Sequence, residues 1–573
     1  MSRDIGLYIP YIPFIDRLLI NTVFLFLFLL VPGLVLLHLL VAPYTKVEES
    51  FHVQAIHDIE TYGIPSIGDA AAYMQEHYDH FKFPGAVPRT FIGALVLSEL
   101  SRPFIWLNKN VNRQILARAI LGLFNASALM SYASGIKRAF GQPAAIWYLL
   151  FQASQFHVLY YASRTLSNMF AFGITTLALR YLLSEPGVRH KYRTRCRLSL
   201  CLLTVAGIIF RSELALFLAM HTLFLLLTGR VSLIKEVIPA GILGLFIGLI
   251  STVSVDSFFW QQFPLWPELA AFKFNVVSGQ ASAWGTQPWH FYFSNAIPRL
   301  LLNPCTYLIG IPVALSLSST RAATAYLLAP SLAFVALFSS QPHKEWRFIL
   351  YVIPPLTAAA SLGASYIWTH RTKSFIYRLL SLVMLLSPLA SFTISTFVLL
   401  PSSAANYPGA HALRALHDNH GDTFQPEISV YLGNLACQTG VTRFLQIPSK
   451  SPTEAWKYDK TEDETIKSSS TFWDQFDYAL VEAVGPEESR LTSGPNSRWE
   501  NVEVVNGFAG VRVLRPGEEA RGSVEESFLR GIGGERAIGV WEKGRELVRR
   551  FVTKGWWVGL RMEPRIRIMR RVE

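Results

Sequence analysis

Two short stretches of this chain carry side chains whose types and spacing suit a group transfer. The first, Tyr44 to Phe91, reads YTKVEESF, HVQAIHD and YDHFKFPGAVPRTF, and packs Glu48, Glu49, Asp58, Asp79, His52, His57, His77, His80, Lys82 and Arg89 into fewer than fifty residues. A carboxylate here could take the proton of an attacking hydroxyl, which is general base catalysis. Thr45-Lys46-Val47-Glu48 also fits a capping box, but a cap needs one acid and the stretch supplies two, Glu48 and Glu49. The second stretch is His343-Lys344-Glu345-Trp346-Arg347-Phe348, between two apolar runs. Its cations could hold a lipid phosphate and stabilise it as it leaves. Interfacial anchoring accounts for Lys344, Trp346 and Arg347, yet leaves His343 beside Glu345 unexplained.

Weaker signals surround these two. Arg164 with Asn168 in SRTLSN, and Arg211 with Glu213 in FRSEL, are site candidates or buried pairs. Trp284, Trp289 and His290 could meet a sugar ring or form an interfacial belt. Gly85 and Pro88 read as a turn that aims Asp79, His80 and Arg89.

The elements that must position these residues are membrane helices. Over 573 residues the chain is 51% hydrophobic and 16% charged, with a mean hydropathy of +0.30, which excludes an ordinary soluble domain. Leu18 to Val41 is long enough to cross a bilayer and reads as a retained anchor with Met1 to Arg17 cytosolic. Eleven further apolar segments follow, ending with Phe375 to Leu400, several of them short enough to be half-helices or re-entrant pieces.

The net charge of +12 is spread in clusters between apolar runs, a topology signal rather than a nucleic-acid patch. Lys137 and Arg138, the run RHKYRTRCR at Arg189 to Arg197, Arg230 and Lys235, Arg321, and HRTK at His370 to Lys373 should be cytosolic. That holds if Phe91 to Leu107 does not cross fully and Leu198 to Leu227 goes in and returns around Arg211 and Glu213, and it puts every chemically suggestive loop (44–90, 163–168, 211–213, 256–299, 341–347) on the opposite face. Four cysteines show no metal-ligand spacing, and a Cys305 to Cys437 bridge is less expected than free thiols. Asn125-Ala126-Ser127 lies inside an apolar span and should carry no glycan.

Residues 1–400 thus form a multi-span catalytic unit. Residues 401–517, with strand-like runs at ISVYLGN, DYALVEA and VEVVNGFAGVRVL, should form a small lumenal α/β domain. Residues 518–573 read as a basic tail, amphipathic or disordered.

HKEWRF resembles the HKE-x-RF signature of the dolichyl-phosphate-mannose-dependent mannosyltransferases of glycosyltransferase family 22. Glu48-Glu49-Ser50-Phe51 is similar to that family's acidic pair in the first lumenal loop, although many relatives carry Asp-Glu there. The resemblance runs from about Pro43 to Leu400. Within the family, TKVEESF followed by YDHFKFPGAVPRTF is most similar to the branch that adds the eighth mannose to a lipid-linked oligosaccharide.

The resemblance implies an all-α polytopic membrane protein of the C-type glycosyltransferase fold in the endoplasmic reticulum, with a lumenal active site. It implies dolichyl phosphomannose as donor, a dolichyl-diphosphate-linked heptamannosyl acceptor, an α-1,6 linkage made with inversion, membrane lipids as surroundings, and neither cofactor nor metal. Glu48 and Glu49 are then the catalytic candidates. His343, Lys344, Arg347 and Arg211 are candidates for the donor phosphate, and Asp79, His80, Arg89, Arg164 and His290 for the acceptor side. The alternatives are an α-1,2-transferring member of the same family, or a lipid or solute transporter. Against transport stand the lack of an internal repeat and the gathering of charges on one side.

Overall fold

The computed structural model describes residues 14–420, 427–448, 455–492, 498–518 and 524–572, so most of the expected N-terminal flank of the first span lies outside it. Among the described residues six helices are long and apolar enough to cross a membrane: Leu19–Val41, Arg113–Phe140, Leu233–Trp260, Arg321–Phe338, Trp346–Thr369 and Phe375–Ala404. A seventh crossing is possible as the bent pair Tyr292–Leu301 and Thr306–Ser316, whose axes meet at 112°. The break falls where Leu302 takes a left-handed conformation, so the expected half-helix in this region is present.

Burial sorts the spans. Trp346–Thr369 has 89% of its apolar window inside the protein, against 22% for Leu233–Trp260 and for Phe375–Ala404. The first is the axis of the bundle, and the other two turn most of their apolar surface outward, as lipid contact requires. On the central helix a Cβ on Gly363 would lie 2.0 Å from the Gly310 carbonyl oxygen, so only glycine permits this approach. Phe91 to Leu107 forms a helix, Ile92–Leu107, of 16 residues with Pro103 inside it. At about 24 Å it falls short of a bilayer core of about 30 Å, in line with the expectation that it does not cross.

Two ends of the bundle are chemically distinct. At one, Arg138, Arg180 and Arg195 converge on Glu185, each within 2.9 Å, Arg197 donates to the Lys235 carbonyl, and Arg230 lies over Tyr326. The expected basic loops at 137–138, 189–197 and 230–235 therefore share one end. The acidic pair and the HKEWRF motif occupy the other. Asn125 is fully buried and donates to the Ala162 carbonyl, so it cannot accept a glycan, and all four cysteines are free.

Beyond the spans lies a five-stranded sheet: β1 (Glu427–Leu432), β2 (Ala455–Asp459), β3 (Tyr478–Glu482), β4 (Trp499–Leu514) and β5 (Trp557–Arg571), in the order β2-β1-β3-β5-β4. β1 pairs parallel with β2 and β3, whereas β5 pairs antiparallel with β3 and β4. One face is covered by Ala412, Leu413 and Leu416 of the helix Pro408–His420, the other by Phe472, Trp473 and Phe476.

This corrects the expected boundary at residue 518. Residues 557–571 are not a tail: β5 is an inner strand, with Ile566 and Ile568 buried against the helix, and the preceding stretch forms the helix Val524–Phe551. The cause is the alternation of Arg with Ile in RIRIM, which buries one side of the strand and leaves arginines on the other.

The sheet domain is fastened to the first loop. Arg443 pairs with Asp58 at 2.5 Å and Lys460 with Asp79 at 2.8 Å, while Tyr44, Tyr160, Tyr407 and Ala410 form an apolar joint between bundle and domain.

Candidate active site

The polypeptide at residues 42–50 leaves the first span as an extended segment and turns into a short helical turn, Val47–Glu49, before the helix Ser50–Tyr62. Two buried arginines fix its path. Arg164 donates to the carbonyls of Ala42 and Tyr44, and Arg118 to those of Pro43 and Tyr44. Arg118 sits inside the span Arg113–Phe140 and escaped the sequence reading; a lone charge in an apolar helix was the signal that could have found it.

The acidic pair then divides. Glu49 is 2% exposed, and its Oε1 accepts from Arg164 at 2.8 Å and from the backbone N–H of Lys46 at 3.0 Å. The capping role expected for Glu48 therefore belongs to Glu49. Its second oxygen, Oε2, is buried with no partner among the described residues. Glu48 is exposed, and among the described residues only its backbone carbonyl accepts a hydrogen bond, from Arg89 at 3.4 Å.

Both acids line a cleft of about 550 Å³, within the usual size range of ligand sites, together with Arg164, Trp346 and Arg347 of the bundle and Tyr407, Gln438, Phe508 and Arg565 of the sheet domain. The two motifs, some three hundred residues apart in sequence, meet there. Trp346 packs on Tyr161 with ring centroids 4.4 Å apart and so forms cleft wall rather than an interfacial anchor.

Behind Arg347 lies a cationic cluster. Glu345 holds Arg347 at 2.5 Å and His343 at 3.0 Å, and although burial alone would raise its pKa, the Arg347 guanidinium keeps it below the usual carboxylate value. Glu213 takes Arg211 at 2.8 Å and the Asn168 amide at 3.0 Å, and Glu268 accepts from the Ser212 N–H at 2.6 Å. Arg89 stands close enough to Arg211 and Arg347 that burial first, and then their charges, lower its pKa to about 10. It is packed about by these groups yet still open to water. Its loop is pinned by Asp256, which accepts from the Thr90 hydroxyl and the Phe91 N–H, and by Trp260, which donates to the Arg89 carbonyl.

Other expected site residues lie elsewhere. Lys344 is 5% exposed, and its ammonium donates to the carbonyls of Gln287, at 3.0 Å, and Gln341, at 2.5 Å. It clips the 278–290 loop to the motif, a placement that differs from the phosphate contact expected. Asp79 is occupied by Lys460, and buried His80 contacts the Phe259 carbonyl at 2.9 Å; neither lines the cleft. His290 is exposed and bonded to Ser294. Among the described residues no group of three or more His, Cys, Asp or Glu side chains is arranged to hold a metal ion.

The sequence that builds this site matches a known family. Residues 22–446 match the Alg9-like mannosyltransferase family. The chain belongs to that family. A protein of Schizosaccharomyces pombe described as a probable Dol-P-Man:Man(7)GlcNAc(2)-PP-Dol alpha-1,6-mannosyltransferase is 37% identical over 82% of this chain and 78% of its own length. Relatives of the same description, without "probable", from Saccharomyces cerevisiae and Arabidopsis thaliana are 33% and 35% identical, over 82% and 75% of this chain and 86% and 81% of their own lengths. In fold the chain is similar to ArnT from Cupriavidus metallidurans, solved with undecaprenyl phosphate, with a TM-score of 0.55 at 14% identity over 85% of this chain and 96% of that one. The expected C-type fold with a small α/β domain is thus the observed one, and this member of the Alg9-like mannosyltransferases is a multi-span membrane enzyme.

Proposed function

We propose that the protein moves mannose from dolichyl phosphomannose to a dolichyl-diphosphate-linked heptamannosyl oligosaccharide, in α-1,6 linkage and with inversion, on the lumenal face of the endoplasmic reticulum membrane. One observation carries this reading: Glu48, free of side-chain partners among the described residues, shares a single cleft with Arg347, the edge of a cluster of three arginines. A base and a phosphate cradle on opposite sides of one space are what a single displacement requires. The names of the full-length relatives supply the substrates. The basic end of the bundle, read as cytosolic by the positive-inside rule, supports a lumenal cleft.

In this mechanism Glu48 accepts the proton of the acceptor hydroxyl as its oxygen forms a bond to the anomeric carbon. The bond from that carbon to the phosphate oxygen breaks on the opposite face, and its electron pair leaves with dolichyl phosphate. Arg347, Arg211 and Arg89 hold the charge that develops there. Glu345 and Glu213 fix the first two guanidiniums in place, so their donors are aimed before substrate arrives. Glu49 orients the backbone that presents Glu48. Because guanidiniums supply the positive charge, the reading requires no metal.

The test is to incubate purified protein with dolichyl phosphomannose and the heptamannosyl acceptor and to analyse the product linkage. α-1,6-Mannose is expected. An α-1,2 product would move the chain to a sister activity, and movement of lipid or solute without transfer would replace the enzyme reading with a transporter.

A further inference from the structure

The arginines of β5 differ in how they are occupied. Arg561 pairs with Glu563, Arg567 with Glu488, Arg570 with Glu500 and Arg571 with Asp477. Arg565 lines the cleft, and its guanidinium makes no hydrogen bond or ion pair with any described residue. Its position in the strand is special. Val505 pairs with Ile566 and Asn506 with Pro564, so Arg565 is the extra residue of a β-bulge. Bulges re-aim a side chain out of the regular alternation and are frequent beside active sites, and Pro564, with no N–H to give, fits a bulge and little else within a sheet.

The neighbouring strand makes room for it. A Cβ on Gly507 would lie 2.8 Å from Cγ of Arg565 and 3.2 Å from Pro408, so the stem of Arg565 occupies the place where any other residue would carry its side chain. Phe508, beside that glycine, also lines the cleft and is tied by its N–H to the Ala405 carbonyl at 3.0 Å. An aromatic face and a five-donor planar fork thus line the same cleft as Glu48.

We infer that Arg565 is a positioning residue for the acceptor glycan, donating to hydroxyls of a sugar next to the one that receives mannose. The inference rests on the transfer reading above. A guanidinium offers parallel N–H groups that match neighbouring hydroxyl oxygens, and the half-buried ring of Phe508 offers an apolar surface for the sugar face. The donor phosphate has its own cations behind Arg347, on the bundle side. The sheet domain, including the part of the chain that reads as a basic tail, is then the acceptor half of the active site.

The experiment measures KM for acceptor and for donor separately in Arg565→Ala, Arg565→Lys and Gly507→Ala, with Arg561→Ala as control. Arg565→Ala should raise acceptor KM about 10-fold or more, the loss expected for hydrogen bonds from a charged donor, with donor KM and thermal stability unchanged. Arg565→Lys should be intermediate, because the charge remains and the fork is lost. Gly507→Ala should raise acceptor KM by displacing the arginine stem. Arg561→Ala should change nothing.

An unchanged acceptor KM in Arg565→Ala overturns the inference, and so does an equal rise for donor and acceptor. If the wild-type protein transfers no mannose, the transfer reading fails instead. Binding of the free heptamannosyl oligosaccharide then decides for Arg565: weaker in Arg565→Ala supports a glycan contact, unchanged refutes it.

Discussion

The two ends of the bundle each hold a buried carboxylate beside arginine, and they use it differently. At the basic end Glu185 is 4% exposed and gripped by Arg138, Arg180 and Arg195. That carboxylate is consumed by cations, and the arrangement locks helix ends together. At the cleft end Glu49 is gripped by Arg164, and the carboxylate of the adjacent Glu48 has no hydrogen bond or ion pair with any described residue, Arg89 reaching its backbone carbonyl instead, while Arg211 and Arg347 stand near Arg89 and are held by Glu213 and Glu345. A carboxylate clamped by arginines is a poor proton acceptor. The same residue types therefore give a structural lock where the carboxylate is clamped, as at Glu185, and a reactive cleft where one carboxylate, that of Glu48, is left without an arginine partner among the described residues.

The strongest way to break that comparison is to neutralise one acid at each end. Glu48→Gln should leave expression and donor binding near normal and lower kcat about 100-fold or more, the scale of general base catalysis. Glu185→Gln should do the reverse: turnover per folded molecule holds, and stability falls by about 3 kcal/mol or more, because three arginines lose their buried partner. Glu49→Gln should resemble Glu185→Gln in its loss of stability, since Arg164 is 1% exposed and loses its only carboxylate. Measured kcat and thermal midpoints for the three variants decide the matter; near-normal turnover in Glu48→Gln would remove it as the base.

A smaller effect separates the two cations of the HKEWRF motif. Arg347→Met should raise donor KM and lower kcat, together about 10- to 100-fold, if its charge acts on both the bound and the leaving phosphate. Lys344→Met should act through the 278–290 loop, because its ammonium is spent on two carbonyls. A loss of thermal stability with a loss of turnover of only a few-fold is expected. If Lys344→Met abolished turnover while stability held, Lys344 would rank with Arg347 as a phosphate contact.

How much of this was legible in the sequence follows from what each residue depends on. Glu48, Glu49 and the HKEWRF run stand beside apolar segments, where charge is conspicuous, and Glu48, Glu49, Glu345, Trp346 and Arg347 line the cleft. Asp79 and His80 sat in the same dense stretch but serve packing and domain attachment, because their partners, Lys460 and the Phe259 carbonyl, come from remote segments that no spacing rule connects. The carbonyl partners of Lys344 are hidden from the sequence for the same reason, because they depend on how the 278–290 loop folds back. β5 was missed although RIRIM alternates with period two, because the surrounding basic residues dominated the reading. Arg565 could not have been found from spacing at all, since its aim depends on a bulge opposite Asn506.

The smallest expected effect is one of pH and concerns Glu268, the second acid beside Arg211. Burial, and then the nearby Glu213, raise its pKa from 4.5 to about 7, with Arg211 and the Ser212 hydrogen bonds opposing. Its folded-state pKa is thus above the unfolded value. The folded protein binds the extra proton between the two, so the contribution of Glu268 to stability is whole below about 4.5 and is lost as pH rises through about 7. Function should follow the same proton. Neutral Glu268 leaves Arg211 free to meet the donor phosphate, and ionised Glu268 competes for it. Donor KM should therefore rise a few-fold between about pH 6 and pH 8, with acceptor KM flat over the same range. Glu268→Gln, which keeps an acceptor for the Ser212 N–H, should hold donor KM at its low-pH value throughout. A donor KM that rises as steeply in Glu268→Gln as in the wild type would assign the titration to another group and leave Glu268 as a purely structural acid, of the same kind as Glu185 at the far end of the bundle.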